Sequence, residues 1–141
     1  MAKLYLKINT ITKVKNMVGT IVNKGLEMMA KLLGGVSTSP FTYIALGSGT
    51  DAEAAGNTAL TTEITTNGGA RASATCTYES GYICKINKTF NITGDLAVNE
   101  VGVFNADADG DMLYRAKLEA TRNLVKGDKV EIDVQITFST V

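Results

Sequence analysis

Histidine and tryptophan are absent from this chain of 141 residues, proline occurs once, at Pro40, and cysteine twice, at Cys76 and Cys84. Without histidine, the commonest general base and the Ser-His and Cys-His nucleophile arrangements are excluded. The commonest metal ligand goes with it, and two cysteines are too few for a structural zinc site. No apolar run approaches the roughly 20 residues that span a bilayer. Lys3, Lys7, Lys13 and Lys15 interrupt any secretion-type apolar segment near the start. The chain is therefore expected to be made in a cytoplasm, without membrane insertion, so that the Asn-x-Thr triplets at Asn87 and Asn91 carry no glycosylation meaning. It is expected not to be an enzyme and to need no cofactor and no metal.

The formal net charge is zero, which gives no support to a nucleic-acid role. Three arginines and no aromatic platform with basic flanks point the same way. The charge is unevenly spread. Residues 1–35 hold six lysines against Glu27 alone, a net +5 balanced by −5 in the remainder. Two readings stay open: solvated lysines distributed by chance, or a basic arm that docks on a neighbouring subunit.

A chain of this length and composition makes one domain with a real core. We divide it into an N-terminal strand and helix, 1–35, and a β body, 36–141. Leu4, Leu6 and Ile8 alternate, as in a short strand. Val14, Met17, Val18, Ile21, Val22, Leu26, Met29, Leu32 and Leu33 follow helical spacing. That predicts an amphipathic helix begun by Thr12 and ended by Gly34-Gly35. Gly19 and Gly25 weaken it by roughly 1 kcal/mol each, which implies close packing against something.

The body reads as β. Ala70 to Tyr78 and Tyr82 to Ile92 form a predicted hairpin around Glu79-Ser80-Gly81, in which Tyr78 faces Tyr82 and Cys76 faces Cys84. That register permits a disulfide, and a cytoplasmic origin favours reduced thiols. Val98 to Asn105 and Met112 to Leu118 form a second hairpin around Asp107–Asp111. In the last strand Val130, Ile132, Val134, Ile136 and Phe138 share one face. The fold class is mainly β, an antiparallel β-sandwich with one N-terminal amphipathic α-helix.

Between Phe41 and Leu60 an apolar strand runs into Gly47-Ser48-Gly49-Thr50. Gly47 and Gly49 allow a sharp turn, because glycine takes positive φ without cost. A phosphate loop would need a following lysine and helix, and Asp51 and Glu53 would repel phosphate. The Asp107-Ala108-Asp109-Gly110-Asp111 run lacks the glycine and glutamate positions of a calcium loop and reads as a hairpin turn. Glu63 and Glu100 are candidates for a carboxylate pair only in the sense that the fold decides their separation. Glu100 lies among Val98, Val101 and Val103. If buried it needs a cation or backbone donors, which Arg71 or the amides of the glycine turn could supply. Gly47, Gly49, Glu100 and Arg71 are thus structural rather than catalytic candidates.

The order NKGLEMMAKLLGG, FTYIALGSGTDAEAAGNTALTTEI, VNEVGVFNADADGDMLYRAKL and GDKVEIDVQITF resembles small bacteriophage virion proteins of the tail-fibre and baseplate type. The resemblance covers about residues 23 to 138. It implies a virion structural protein in the tail, baseplate, collar or capsid-decoration layer. It also implies assembly with copies of itself and other virion proteins, the first strand and helix docking on a neighbour. The alternative it leaves is a receptor- or carbohydrate-binding module of a tail fibre that meets a host receptor. Neither repeats nor a long coiled coil is present, so a compact subunit fits better than a complete fibre.

Overall fold

The computed structural model describes residues 2–8, 11–37, 39–79 and 81–138. Ten strands and one helix follow in the order β1 (Ala2–Ile8), β2 (Ile11–Val18), β3 (Thr20–Ile21), α1 (Asn23–Leu33), β4 (Tyr43–Gly47), β5 (Ala72–Ser73), β6 (Thr75–Tyr78), β7 (Ile83–Asn91), β8 (Leu96–Phe104), β9 (Met112–Leu124) and β10 (Lys129–Thr137). They make two five-stranded antiparallel sheets. Sheet A has the order β2-β1-β10-β7-β6 and sheet B the order β3-β9-β8-β4-β5. Their inner faces meet in one core that includes Leu4, Ile44, Leu46, Ile86, Val101 and Ile132. The mainly β, antiparallel fold with a single short helix is the expected class.

The chain crosses between the sheets at both edges. After β2 it passes Gly19 into the two-residue β3 of sheet B, and after β5 it passes Ala74 into β6 of sheet A. The outer face of sheet B is also covered. Leu60 packs there with Val22, Ala45, Phe104 and Met112, and Gly102 leaves the space that the Leu60 side chain fills. A sheet covered on both faces needs apolar residues on both, so β4 and β8 read as runs rather than alternations.

The N-terminal segment departs from its sequence pattern. Residues 11–18 form β2, paired antiparallel with β1, and the helix begins only at Asn23. Thr12 therefore caps nothing. Ile11, Thr12, Val14 and Val18 are β-branched residues that favour a strand once a ladder partner is present. No side chain caps α1; the Asn23 amide donates to the Ala55 carbonyl. Its end is as expected, with Gly35 left-handed at φ 72°. β1 pairs along its length with β10 and on its other edge with β2, so both of its edges are taken within sheet A.

The β6–β7 register also differs. Tyr78 pairs with Cys84 and Cys76 with Ile86, the Glu79 amide donating to the Ile83 carbonyl, so each residue of β6 meets a partner two positions further along β7 than expected. Such a shift keeps every side chain on its face, but it separates Tyr78 from Tyr82 and makes the cysteines diagonal. Both thiols are free, and the Cys76 Sγ donates to the Phe41 carbonyl. Burial pushes both thiols up from their ordinary value, and for Cys76 the neighbouring Cys84 adds to the effect. Phe138 lies beyond the end of β10 and is half exposed instead of joining its buried face.

Two outcomes follow from this packing. A Cβ at Gly25 would collide with the Leu113 backbone, so Gly25→Ala is expected to lose about 1–3 kcal/mol in urea unfolding through overpacking. A gain, as helix propensity alone dictates, would mean that α1 does not press on β9. Both cysteines should react with a thiol reagent in the absence of reductant. Their raised pKa leaves less thiolate at pH 8, so alkylation should run slower than for a free cysteine.

Candidate functional site

The residues singled out at the glycine turn meet around one buried carboxylate. Glu100, in the middle of β8, is 0% exposed, and Arg115, on β9, is 1% exposed. The register sets Glu100 opposite Gly47 on one side and Lys117 on the other. One carboxylate oxygen, Oε1, accepts from the Thr61 amide at 2.9 Å and from Arg115 Nε at 3.1 Å. The other, Oε2, accepts from the Gly49 amide at 2.8 Å and the Thr62 amide at 3.1 Å.

The guanidinium is equally committed. Arg115 Nη1 donates to the Ala52 carbonyl and Asn57 Oδ1, and Nη2 to the Asp51 carbonyl and Thr61 Oγ1. With Nε on Glu100, all five donors of the group are used. A buried charge pair is costly unless its remaining hydrogen-bonding sites are filled, and here the loop 48–62 fills them. The same loop lies along β9: Glu53 accepts from the Lys117 amide at 2.8 Å.

Gly47 and Gly49 are glycines for a reason other than the one expected. Neither has positive φ; the left-handed glycines are Gly35, Gly68, Gly81, Gly110 and Gly127. A Cβ at either Gly47 or Gly49 would strike the Glu100 side chain. The expected sharp turn is absent: Gly47 ends β4 and residues 48–54 hold no turn or bend, so what the two glycines provide is room for the carboxylate.

Arg71 does not reach Glu100. It forms a second clamp, with Nε 3.1 Å and Nη2 2.6 Å from the two oxygens of Glu63. Its Nη1 donates to the carbonyls of Ala106 and Asp109, and the group stacks 3.7 Å from the centre of the Phe104 ring. Arg71 thereby ties the far end of the loop to the Asp107–Asp111 turn, where Asp109 and Gly110 are both left-handed. Glu63 and Glu100 are each held by a different arginine. Among the described residues no cluster of three or more acidic, cysteine or histidine side chains could hold a metal.

Sequence reasoning missed Arg115, Thr61 and Asn57. An arginine inside the apolar run MLYRAKL was the available signal, since a buried arginine needs a buried partner. Next to it, burial raises the Tyr114 hydroxyl well above the usual phenol range, and the Glu53 carboxylate adds to that shift.

Glu100→Gln tests the clamp. Each carboxylate oxygen faces two donors, so either orientation of the amide sets an NH2 against N–H groups. Removing one partner of a buried pair typically costs about 3–5 kcal/mol, which should lower the melting temperature by roughly 10–17 °C for a chain of this size. An unchanged melting temperature would mean that the pair does not hold the loop.

A search of curated proteins found no match. The family model described as Podophage GP4 fiber I protein gp80 matches residues 22–138, from the start of α1 to the end of β10. The helix, β4 to β10 and the clamped glycine loop fall within that match, β1 to β3 precede it, and the chain belongs to this family of phage fibre proteins.

Proposed function

We propose that this virion protein acts by assembly, as a compact subunit of a tail fibre that contacts copies of itself and other virion proteins, and that it performs no catalysis. The observation that carries the reading is the match to a phage fibre family over nearly the whole β body. The chemistry of the site agrees with it. The buried ionic groups Glu100, Arg115 and Arg71 each hold backbone or another side chain in place. A fibre subunit has to keep its loops in one conformation under load, and clamps of this kind do that. The baseplate, collar and capsid-decoration layers remain assembly sites of the same kind, with the tail fibre favoured by the family's description.

One observation favours a second reading, a receptor- or glycan-binding role. Tyr78, Tyr82 and Phe138 line a shared open groove of about 500 Å³, and exposed aromatic rings are what sugars stack on. The groove offers few hydrogen-bonding groups, however. Its other lining residues are Cys76, Thr77, Gly81, Ile83 and Cys84, and the Tyr78 hydroxyl already donates to the Gly81 carbonyl. Sugar recognition requires polar groups converging beside the stacking face.

Gold-labelled antibody against the chain, applied to purified particles of the phage that encodes it, should decorate tail fibres. Failure to find the protein in particles by labelling and mass spectrometry would overturn the reading. A glycan array separates the second role: saturable binding lost in Tyr82→Ala would establish it.

A further inference from the structure

Beside the Arg71–Glu63 clamp lies an open cleft of about 670 Å³, within the usual range for a small-molecule site. Its polar lining comes from Thr58, Glu63 and Thr65 of the covering segment and from Asp107 and Asp109 of the turn after β8, with Arg71 joining the two. Arg71 differs here from Arg115, whose five donors are all used inside the protein. Arg71 uses four: Nε and one Nη2 hydrogen on Glu63, and both Nη1 hydrogens on the Ala106 and Asp109 carbonyls. Among the described residues the second Nη2 hydrogen meets no acceptor, although the side chain is only 7% exposed. A guanidinium so nearly buried ordinarily has its donors answered. The Asp107 and Asp109 carboxylates are exposed and make no ion pair or hydrogen bond among the described residues.

The cleft therefore offers acceptors and one spare donor in a single small space. A carboxylate only accepts and a guanidinium only donates, whereas a hydroxyl does both. From that pattern we propose that the cleft binds a neutral saccharide through two neighbouring hydroxyls of one ring. One hydroxyl donates to the Asp107 or Asp109 carboxylate, and the oxygen of the other accepts the spare Arg71 hydrogen. Other ligands answer less of the pattern. Glu63, Asp107 and Asp109 against Arg71 leave a net negative charge, which opposes an anion. A cation leaves the arginine hydrogen unanswered, and among the described residues no group of carboxylates could hold a metal. The walls are set before a ligand arrives. Glu63 is bridged to Gly47, Arg71 holds two carbonyls of the facing turn, and the Asp111 amide donates to Asn105 Oδ1 at 2.8 Å. Binding then has little to order. The proposal goes beyond assembly and puts the sugar contact away from the groove at Tyr82.

Two formats test it on the full chain. Saturation-transfer NMR uses free glucose, galactose, mannose and N-acetylglucosamine, each at about 10 mM, enough to load a site with a dissociation constant of roughly 1 mM. An array of neutral and acidic glycans covers longer ligands. At least one neutral sugar should bind saturably. Binding of the free sugars shows that one ring suffices, and binding on the array alone assigns a longer neutral glycan. Asp107→Ala, and Ala59→Phe, which fills the cleft, should each weaken that binding at least tenfold, while Tyr82→Ala leaves it unchanged. Asp107 and Ala59 are exposed, so the melting temperature should stay within a few degrees of the parent; if Ala59→Phe misfolds, Ala108→Phe replaces it. No neutral sugar bound in either format, binding that survives both cleft variants, binding lost in Tyr82→Ala, or binding confined to acidic glycans or to a tetralysine peptide would each overturn the proposal. None of those results touches the assembly reading, which stands or falls on finding the protein in particles.

Discussion

The pairing of Glu100 with Arg115 is the constraint on which sheet B and its covering loop depend. A carboxylate and a guanidinium at 0% and 1% exposure would be among the most expensive groups to bury if any of their valences were left open. The loop 48–62 closes them with three amides, two carbonyls and two side-chain oxygens. That demand works in both directions. The ion pair needs the loop for its own solvation, and the loop, which has almost no regular hydrogen bonding, needs the ion pair to hold one shape. Gly47 and Gly49 are consequences of the same contact, since the carboxylate occupies the space a Cβ would take.

From that clamp the outer layer of the sandwich follows. A loop fixed over β9 brings Leu60 against Ala45, Phe104 and Met112, and it supplies the Ala55 carbonyl that receives the first amide of α1. Arg71 fixes the far end of the same segment through Glu63 and the turn after β8. The helix is thereby set against β9 through Gly25, with its remaining apolar side turned outward beside Phe138. The polar groups of the body are largely spent on holding it together, whereas its apolar groups are not all spent.

Much of the body was legible because its signals were local. The closing strand alternates in hydrophobicity, Gly127-Asp128 and Asp109-Gly110 mark turns by their own conformational preferences, and the order of motifs from α1 onward resembles a phage virion family. The need of Glu100 for donors was legible as well, because a carboxylate among valines has few alternatives. The N-terminal segment was not, since apolar residues every three or four positions serve a bulged strand nearly as well as a helix. What separates the two is the partner strand β1, and β1 in turn is held by β10 at the other end of the chain.

The sequence by itself determined the class of fold, the absence of histidine chemistry, the turns and the position of one carboxylate that had to be satisfied. Those are properties of composition and of neighbours along the chain. Only the tertiary structure decided which cation answers Glu100: Arg115 reaches it from β9, whereas Arg71, the cation expected, lies against Phe104 and pairs with Glu63. It likewise decided the hairpin register, set by a single amide–carbonyl bond, and the gathering of Leu33, Tyr78, Tyr82 and Phe138 on one exposed face. Such contacts join residues far apart in the chain, where no local preference reports them.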